Sequence, residues 1–259
     1  MDAGRGAEHG RPEPTRPKAL RDVLRLCSGI FVAPLVRAAV ARHAVPAGKP
    51  WRRSCDNCGE PLRFPRTSRA FGPRGRCPTC GSRVAAPPYL VEVTVAVVSG
   101  ELVLAHRPAW ESAALAWWAA WAIALAFIDV AVHRLPNRLT YPAAAGTIAL
   151  LGVAALRQHE GSKWIRAAVA GAVVALVFAV LALLLGQRGP GLGDAKLMLS
   201  TFAVLGWIGW AAVLDGLLLA VTAQGLAAVA LLVAGRRTAR LPMGAFLAAG
   251  ALTAVALLR

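Results

Sequence analysis

Three blocks of this chain run close to the length of a membrane crossing without one charged side chain: Ala167 to Leu185, Gly216 to Gly235 and Leu139 to Leu156. A helix rises about 1.5 Å per residue and needs roughly 20 apolar residues to cross hydrocarbon, so each block can span. Ser112 to Ile128, Leu197 to about Leu214 and Leu241 to Leu258 are further uncharged segments. Two less apolar ones lie nearer the N-terminus: Leu24 to Ala41, interrupted by Arg25 and Arg37, and Tyr89 to Ala105, which carries Glu92 and Glu101. The chain is 57% hydrophobic, and the apolar residues are gathered into blocks instead of alternating or following an amphipathic period. That pattern excludes an ordinary soluble domain. It predicts an all-α polytopic membrane protein with about eight transmembrane helices.

A formal net charge of +16 would point to nucleic acid in a soluble chain. In a polytopic one it first sets orientation, because Lys and Arg gather on the cytoplasmic side. Between the first two segments stand Arg42, Lys49, Arg52, Arg53, Arg63, Arg66, Arg69, Arg74, Arg76 and Arg83, against only Asp56 and Glu60. This places residues 42–88 in the cytoplasm. Alternation from there puts the Val130 to Arg138 turn, the Gln187 to Lys196 loop and the loop holding Arg236, Arg237 and Arg240 on the same face, and the last of these agrees independently with the charge rule. Arg5, Arg11, Arg16, Lys18 and Arg21 then fall outside. Either that tail is translocated, or the first segment, residues 23–41, does not fully cross. Residues 1–22 read as a disordered basic tail with little to bury, and no small-residue cleavage pattern marks a removed signal.

Four of the five cysteines form two C-x-x-C hooks, Cys55 with Cys58 and Cys77 with Cys80. Each hook brings two sulfurs to one metal from a tight turn, and Gly59 and Gly81, directly after the hooks, permit the backbone such knuckles need. On a cytoplasmic loop thiols stay reduced, which favours a four-thiolate zinc site over two disulfides. Such a site has no open position for water, so its zinc is structural and folds a small zinc-ribbon-like insert. Cys27 reads as a small buried hydrophobe.

The stretch Gly189 to Met198, GPGLGDAKLM, breaks an apolar run with glycines and then sets Asp194 near Lys196. Taken alone, glycines end one helix and Asp194 caps the next. Charged groups at membrane segments also mark sites, and Asp194 has a candidate partner in Asp129, within FIDVAVHRLPNRLTYP. There Leu135-Pro136-Asn137 stops one helix and Asn137 can cap the next. Both aspartates then reach the same membrane face.

These residues resemble the prepilin peptidases, or type IV leader peptidases, polytopic aspartic proteases of the GxGD type. The resemblance rests on Asp129 with Leu135-Pro136-Asn137 and Leu139-Thr140, on Gly191-Leu192-Gly193-Asp194 with Lys196-Leu197, on the paired hooks followed by Pro88 to Glu92, and on Leu241 to Phe246. It implies a membrane peptidase domain over residues 89–259 in the bacterial inner membrane. Its substrates would be prepilin or pseudopilin precursors with a short basic leader and a hydrophobic helix, cut at the cytoplasmic face. Members that also N-methylate, using S-adenosylmethionine, carry a Gly-Ser-Phe-Leu-Asn type sequence in the first helix. This chain has Gly29 to Pro34, GIFVAP, in its place. The resemblance therefore implies proteolysis and leaves methylation open.

Two carboxylates hydrolyse a peptide by sharing one proton, one as base and one as acid. Asp194 before a helix N-terminus is expected to start as the base, and Asp129 near a helix C-terminus as the acid. Lys196 either supports Asp194 or reaches lipid headgroups. Gly191 and Gly193 leave room for substrate backbone. Two other classes compete. An ion-coupled transporter would claim Asp215, for which a cap or turn role is the alternative. A membrane-anchored zinc module binding nucleic acid would use the basic loop, but Trp51, Phe64 and Phe71 offer little stacking surface, and no nucleic acid partner is expected.

Overall fold

A computed structural model describes residues 18–46, 48–63, 68–84, 86–186, 191–236 and 241–258, with side chains from residue 31 onward. Residues 1–17 of the expected tail, together with Arg66, Gly189, Pro190, Arg237 and Arg240, lie outside the described residues. Residues 18–22, expected in the tail, are already helical.

The described elements are α1 (Lys18–His43), a short α2 (Ser68–Phe71) inside the insert, α3 (Leu90–Leu104), α4 (Ala109–Val132), α5 (Asn137–Gln158), α6 (Gly161–Leu185), α7 (Leu192–Ile208), α8 (Trp210–Val233) and α9 (Met243–Leu257). Among the described residues there is no strand beyond two isolated bridges, Ser54 with Pro61 and Arg76 with Arg83. Helices α4, α5, α6 and α8 are each long and apolar enough to cross a membrane. With α1, α3, α7 and α9 they make the all-α multi-pass architecture. α1, at 26 residues, extends about 39 Å, longer than the hydrocarbon core.

One boundary departs from expectation. The segment foreseen as Leu197 to Leu214 ends at Ile208, and α8 starts at Trp210 with only Gly209 between, in extended backbone at φ 165° and ψ 168°. A helix end leaves its last carbonyls without intrahelical partners. Here Arg166 of α6 supplies the donors, its guanidinium donating to the carbonyl oxygens of Gly206 at 2.6 Å, Trp207 at 2.8 Å and Ile208 at 3.4 Å. Asp215 consequently lies within α8, and the cap or turn role expected for it is withdrawn.

Helix α7 is the centre of the bundle, with nearly every residue from Ala195 to Trp207 buried. It meets α6 backbone to backbone: a β-carbon at Gly206 would stand 2.6 Å from Ala170 Cβ, and one at Gly171 2.5 Å from the Leu199 carbonyl oxygen. Small residues permit such approach where no hydrophobic effect drives helices together. Trp118 of α4 donates its indole N–H to Thr201 of α7 in the interior. On the outside, α6 and α8 present Leu183, Leu184 and Val233 with more than 70% exposure, as suits contact with acyl chains.

The charges that make the first two segments less apolar are partners. Arg37, fully buried, donates from Nε to Glu92 Oε1 at 2.8 Å and from Nη2 to Oε2 at 2.6 Å. The same guanidinium donates to the carbonyl oxygens of Ala86 and Pro87. Gly75, at φ 54°, lies so close that a β-carbon there would meet Arg37 Nη1 at 2.6 Å. One side chain thus ties α1, α3 and the insert together. Arg37→Met leaves Glu92 without its counter-charge, and thermal unfolding in detergent is expected to show a loss of about 3 kcal/mol. Arg37→Met combined with Glu92→Leu is expected to recover most of it. A single variant that melts with the parent would mean the pair does not join α1 to α3.

Candidate active site and metal centre

Asp129 sits in the last turn of α4. The helix ends at His133, in the left-handed conformation with φ 50°, whose N–H donates to the Asp129 carbonyl oxygen at 2.8 Å. The chain turns through Leu135 and Pro136, and Pro136 is the residue before α5, so Asn137 is the first helical residue and not the cap expected of it. Its side chain bonds elsewhere: Lys196 Nζ donates to Asn137 Oδ1 at 2.7 Å.

Asp194 also differs from a simple cap. Gly191 precedes α7 and Asp194 is its third residue. The Asp194 N–H donates to the Gly191 carbonyl oxygen at 3.0 Å, and Asp194 Oδ2 accepts the Gly191 N–H at 2.9 Å. This is the carboxylate half of a capping box, with a glycine where a side-chain cap would stand. The carboxylate is fixed by its own helix start.

Three contacts bring the two motifs together. Lys196 reaches Asn137 as above. Gly193 rests on Leu135, where a β-carbon would lie 3.2 Å from Leu135 Cβ, so the space at this glycine is filled by the protein itself instead of being left for a substrate. From α9, the Gly244 N–H donates to Asp129 Oδ2 at 2.8 Å, and a β-carbon on Gly244 would stand 3.0 Å from that oxygen and 3.4 Å from Leu197 of α7. The carboxylates of Asp129 and Asp194 interact electrostatically, and His133 is a further charge partner of Asp129.

The asymmetry expected from helix ends is offset here. Asp129 lies at the negative end of α4, but it accepts a hydrogen bond from the positive end of α9, just as Asp194 does from α7. What distinguishes them is access: Asp129 is buried at 5% exposure, and Asp194 is only half-buried. Lys196 lies between Asn137 and the Tyr141 ring, 5.3 Å away. Gly244 and His133 were not singled out from sequence. A glycine directly after Leu241-Pro242-Met243 at a helix start is the only signal Gly244 offers.

The cysteine hooks form two equivalent knuckles. Cys55 donates its N–H to the Glu60 carbonyl oxygen, as Cys77 does to Ser82, and the N–H groups of Gly59 and Gly81 return to Cys55 and Cys77. Both glycines take positive φ, 74° and 70°. All four Sγ atoms lie within 4.8 Å of one another and no disulfide joins them. The closest pairs, Cys55 with Cys80 at 3.7 Å and Cys58 with Cys77 at 3.6 Å, match the edge of about 3.8 Å that a tetrahedron of 2.3 Å metal–sulfur bonds requires. Ser82 Oγ lies 3.0 Å from Cys80 Sγ and 3.3 Å from Cys55 Sγ. Its hydroxyl is the chief reason the Cys80 thiol falls to about 5 and the Cys55 thiol also falls below its ordinary value. Those two thiols favour the thiolate, the form that binds metal. The Cys58 thiol is pushed the other way, up to about 12: the Glu60 backbone lowers it, but desolvation and the neighbouring Cys80, Cys77 and Cys55 sulfurs outweigh that lowering.

A family model described as type IV leader peptidases matches residues 116–257. The prepilin leader peptidase/N-methyltransferase of Burkholderia pseudomallei is 33% identical over 215 residues, covering 77% of this chain and 65% of that protein. Its counterpart from Aeromonas hydrophila is 32% identical over 162 residues, covering 60% of this chain and 54% of that one. The chain therefore spans about half to two thirds of the length of these curated relatives. No solved structure matches.

Ser82→Ala is expected to weaken binding of Zn²⁺ to the cysteine cluster by about tenfold, through loss of the hydroxyl donor behind two sulfurs. Competition of the purified protein against a chromophoric chelator reads this directly. An unchanged affinity would show that Ser82 does not support the cluster.

Proposed function

The chain belongs to the type IV leader peptidase family, and from that premise we propose that it is a membrane aspartic endopeptidase whose active pair is Asp129 and Asp194. The observation that carries this is the fixing of both carboxylates by backbone amides, of Gly244 and Gly191, at neighbouring helix starts. Two acids so held fit general acid–base hydrolysis of a peptide bond.

Solvent access assigns the roles. Half-buried Asp194 takes a proton from water as its oxygen attacks the peptide carbonyl, and buried Asp129 gives its proton to the carbonyl oxygen. Collapse of the tetrahedral intermediate re-forms the carbonyl by returning its hydroxyl proton to Asp129, while Asp194 passes the proton taken from water to the departing amine, so the pair ends as it began, with its one proton on Asp129. Each Oδ2 accepts a hydrogen bond from a backbone N–H, of Gly244 for Asp129 and of Gly191 for Asp194. Gly191 and Gly193 shape the loop, and Lys196 holds it to α5.

The relatives' names supply the substrate class, prepilin-like precursors with a leader to remove. The arginine excess of residues 42–88 supports a cytoplasmic position for the insert and the carboxylates in a bacterial inner membrane. We divide the chain into a tail (1–22), a first membrane helix (23–41), the insert (42–88) and the peptidase domain (89–259). Cys55, Cys58, Cys77 and Cys80 would hold a structural Zn²⁺, which supplies a folding cross-link and no reaction step. The second activity in the relatives' names would use S-adenosylmethionine, and transfer of label from it to a cleaved precursor is the readout for this chain, which carries Ile30 and Ala33 in the departing stretch of α1.

Asp129→Asn and Asp194→Asn are each expected to lower leader cleavage in membranes by at least about 10³-fold, at parental expression. Parental cleavage by either variant would overturn the assignment and return the transporter class to consideration. Gly244→Ala, which sets a methyl group against Asp129 Oδ2, is expected to reduce kcat by about 10²-fold while zinc content stays at the parental level. An unchanged kcat would mean that α9 does not position Asp129.

A further inference from the structure

Where the insert meets the turn after α4, a polar cavity of about 430 Å³ opens at the same helix ends as the two carboxylates. Lys49, Arg134 and Arg138 line it, along with His43, Trp51 and Asn137, and no Asp or Glu does. Among the described residues none of the three cations meets a carboxylate. Arg134 donates to the Pro46 carbonyl oxygen at 3.4 Å, and Arg138 stands with its guanidinium 4.2 Å over the Trp51 ring. That ring is stacked in turn on His43, at 5.5 Å between centroids.

Three like charges gathered without a counter-charge repel one another, yet two separate elements, the insert and the α4–α5 turn, bring them to one cavity and aromatic stacking orders one of them. All three are exposed at the cavity's rim, where water screens part of that repulsion, and an anion seated in the cavity would meet all of them at once. Two guanidinium groups and an ammonium suit phosphate oxygens, which accept several charge-assisted hydrogen bonds at once. A basic leader has the wrong sign for this cavity, so it is not a second site for the substrate proposed above.

We propose that this cavity binds a phosphate group, either that of an anionic phospholipid headgroup or that of a soluble phosphate compound. The lipid source fits the height of the cavity, at the helix ends where headgroup phosphates lie. The occupant would touch Asn137, the residue that receives Lys196, and so would brace the turn on which the Asp194 loop rests. The proposal does not depend on proteolysis, and its test reads no cleavage.

Calorimetric titration of the purified full chain in detergent at low salt compares dihexanoyl phosphatidylglycerol, dihexanoylglycerol and inorganic phosphate. The parent is expected to bind the phosphatidylglycerol at least about tenfold more tightly than the triple variant Lys49→Gln, Arg134→Gln, Arg138→Gln. Displacement of that lipid by millimolar inorganic phosphate identifies a soluble source, and resistance to displacement identifies the headgroup. Should the triple variant melt below the parent, Arg134→Gln alone carries the comparison, with a loss of about threefold. Equal binding by parent and variants, or equal binding of the phosphate-free glyceride, overturns the proposal.

Discussion

Two backbone N–H groups at helix starts hold the carboxylates on which this molecule turns. Gly191 donates to Asp194 at the start of α7, and Gly244 donates to Asp129 at the start of α9. The first bond is local to the start of α7, whereas the second forms only with α9 docked against α4. α7 reaches its position because Gly171 and Gly206 let it lie against α6, and α9 approaches because Gly244 leaves no side chain between its backbone and Asp129. The helix starts supply partial positive charge where the membrane would otherwise make two carboxylates costly.

The polar groups elsewhere follow the same rule, that a charge inside an apolar bundle comes with its partner. Arg37 is matched by Glu92, and Arg166 by the carbonyl oxygens at the end of α7. Each of these pairs also decides where an element stops or docks. The cysteine insert is a separate feature: a short segment with few apolar residues brings four sulfurs around one point, and Arg37 fastens it to the membrane helices. Among the described residues, the cavity lined by Lys49, Arg134 and Arg138 stands apart as a place where three cations gather without a carboxylate.

Much of the fold was legible because hydrophobic length and charge asymmetry are local properties. α3 and α9 end within two residues of the segments read from sequence, and α6 stops where its uncharged run stops. The GLGD stretch and the aspartate before Leu135-Pro136-Asn137 were legible as a pair because each combines an acid with a chain reversal. The reversal at Gly209 was not, since what ends α7 there is a guanidinium from a different helix, forty residues earlier. The same holds for Asn137 and Lys196, which read separately as a cap and a surface lysine and bond across elements. Gly244 stood within the matching stretch Leu241 to Phe246 but was given no role there, because it acts through a backbone N–H, and a donor that every residue except proline carries leaves no mark in residue type. The electrostatic asymmetry expected of Asp129 and Asp194 also depended on which helices lie nearby, and α9 supplies to Asp129 what α4 takes away.

The central claim is that Asp129 and Asp194 act as one unit sharing a proton. The pH dependence of kcat/KM for leader cleavage, measured with the full chain in lipid nanodiscs, tests it most directly. A bell-shaped profile, falling with unit slope on both sides and collapsing when either aspartate is replaced by Asn, is the predicted result. A profile with a single limb, or one that keeps both limbs in either variant, would contradict it.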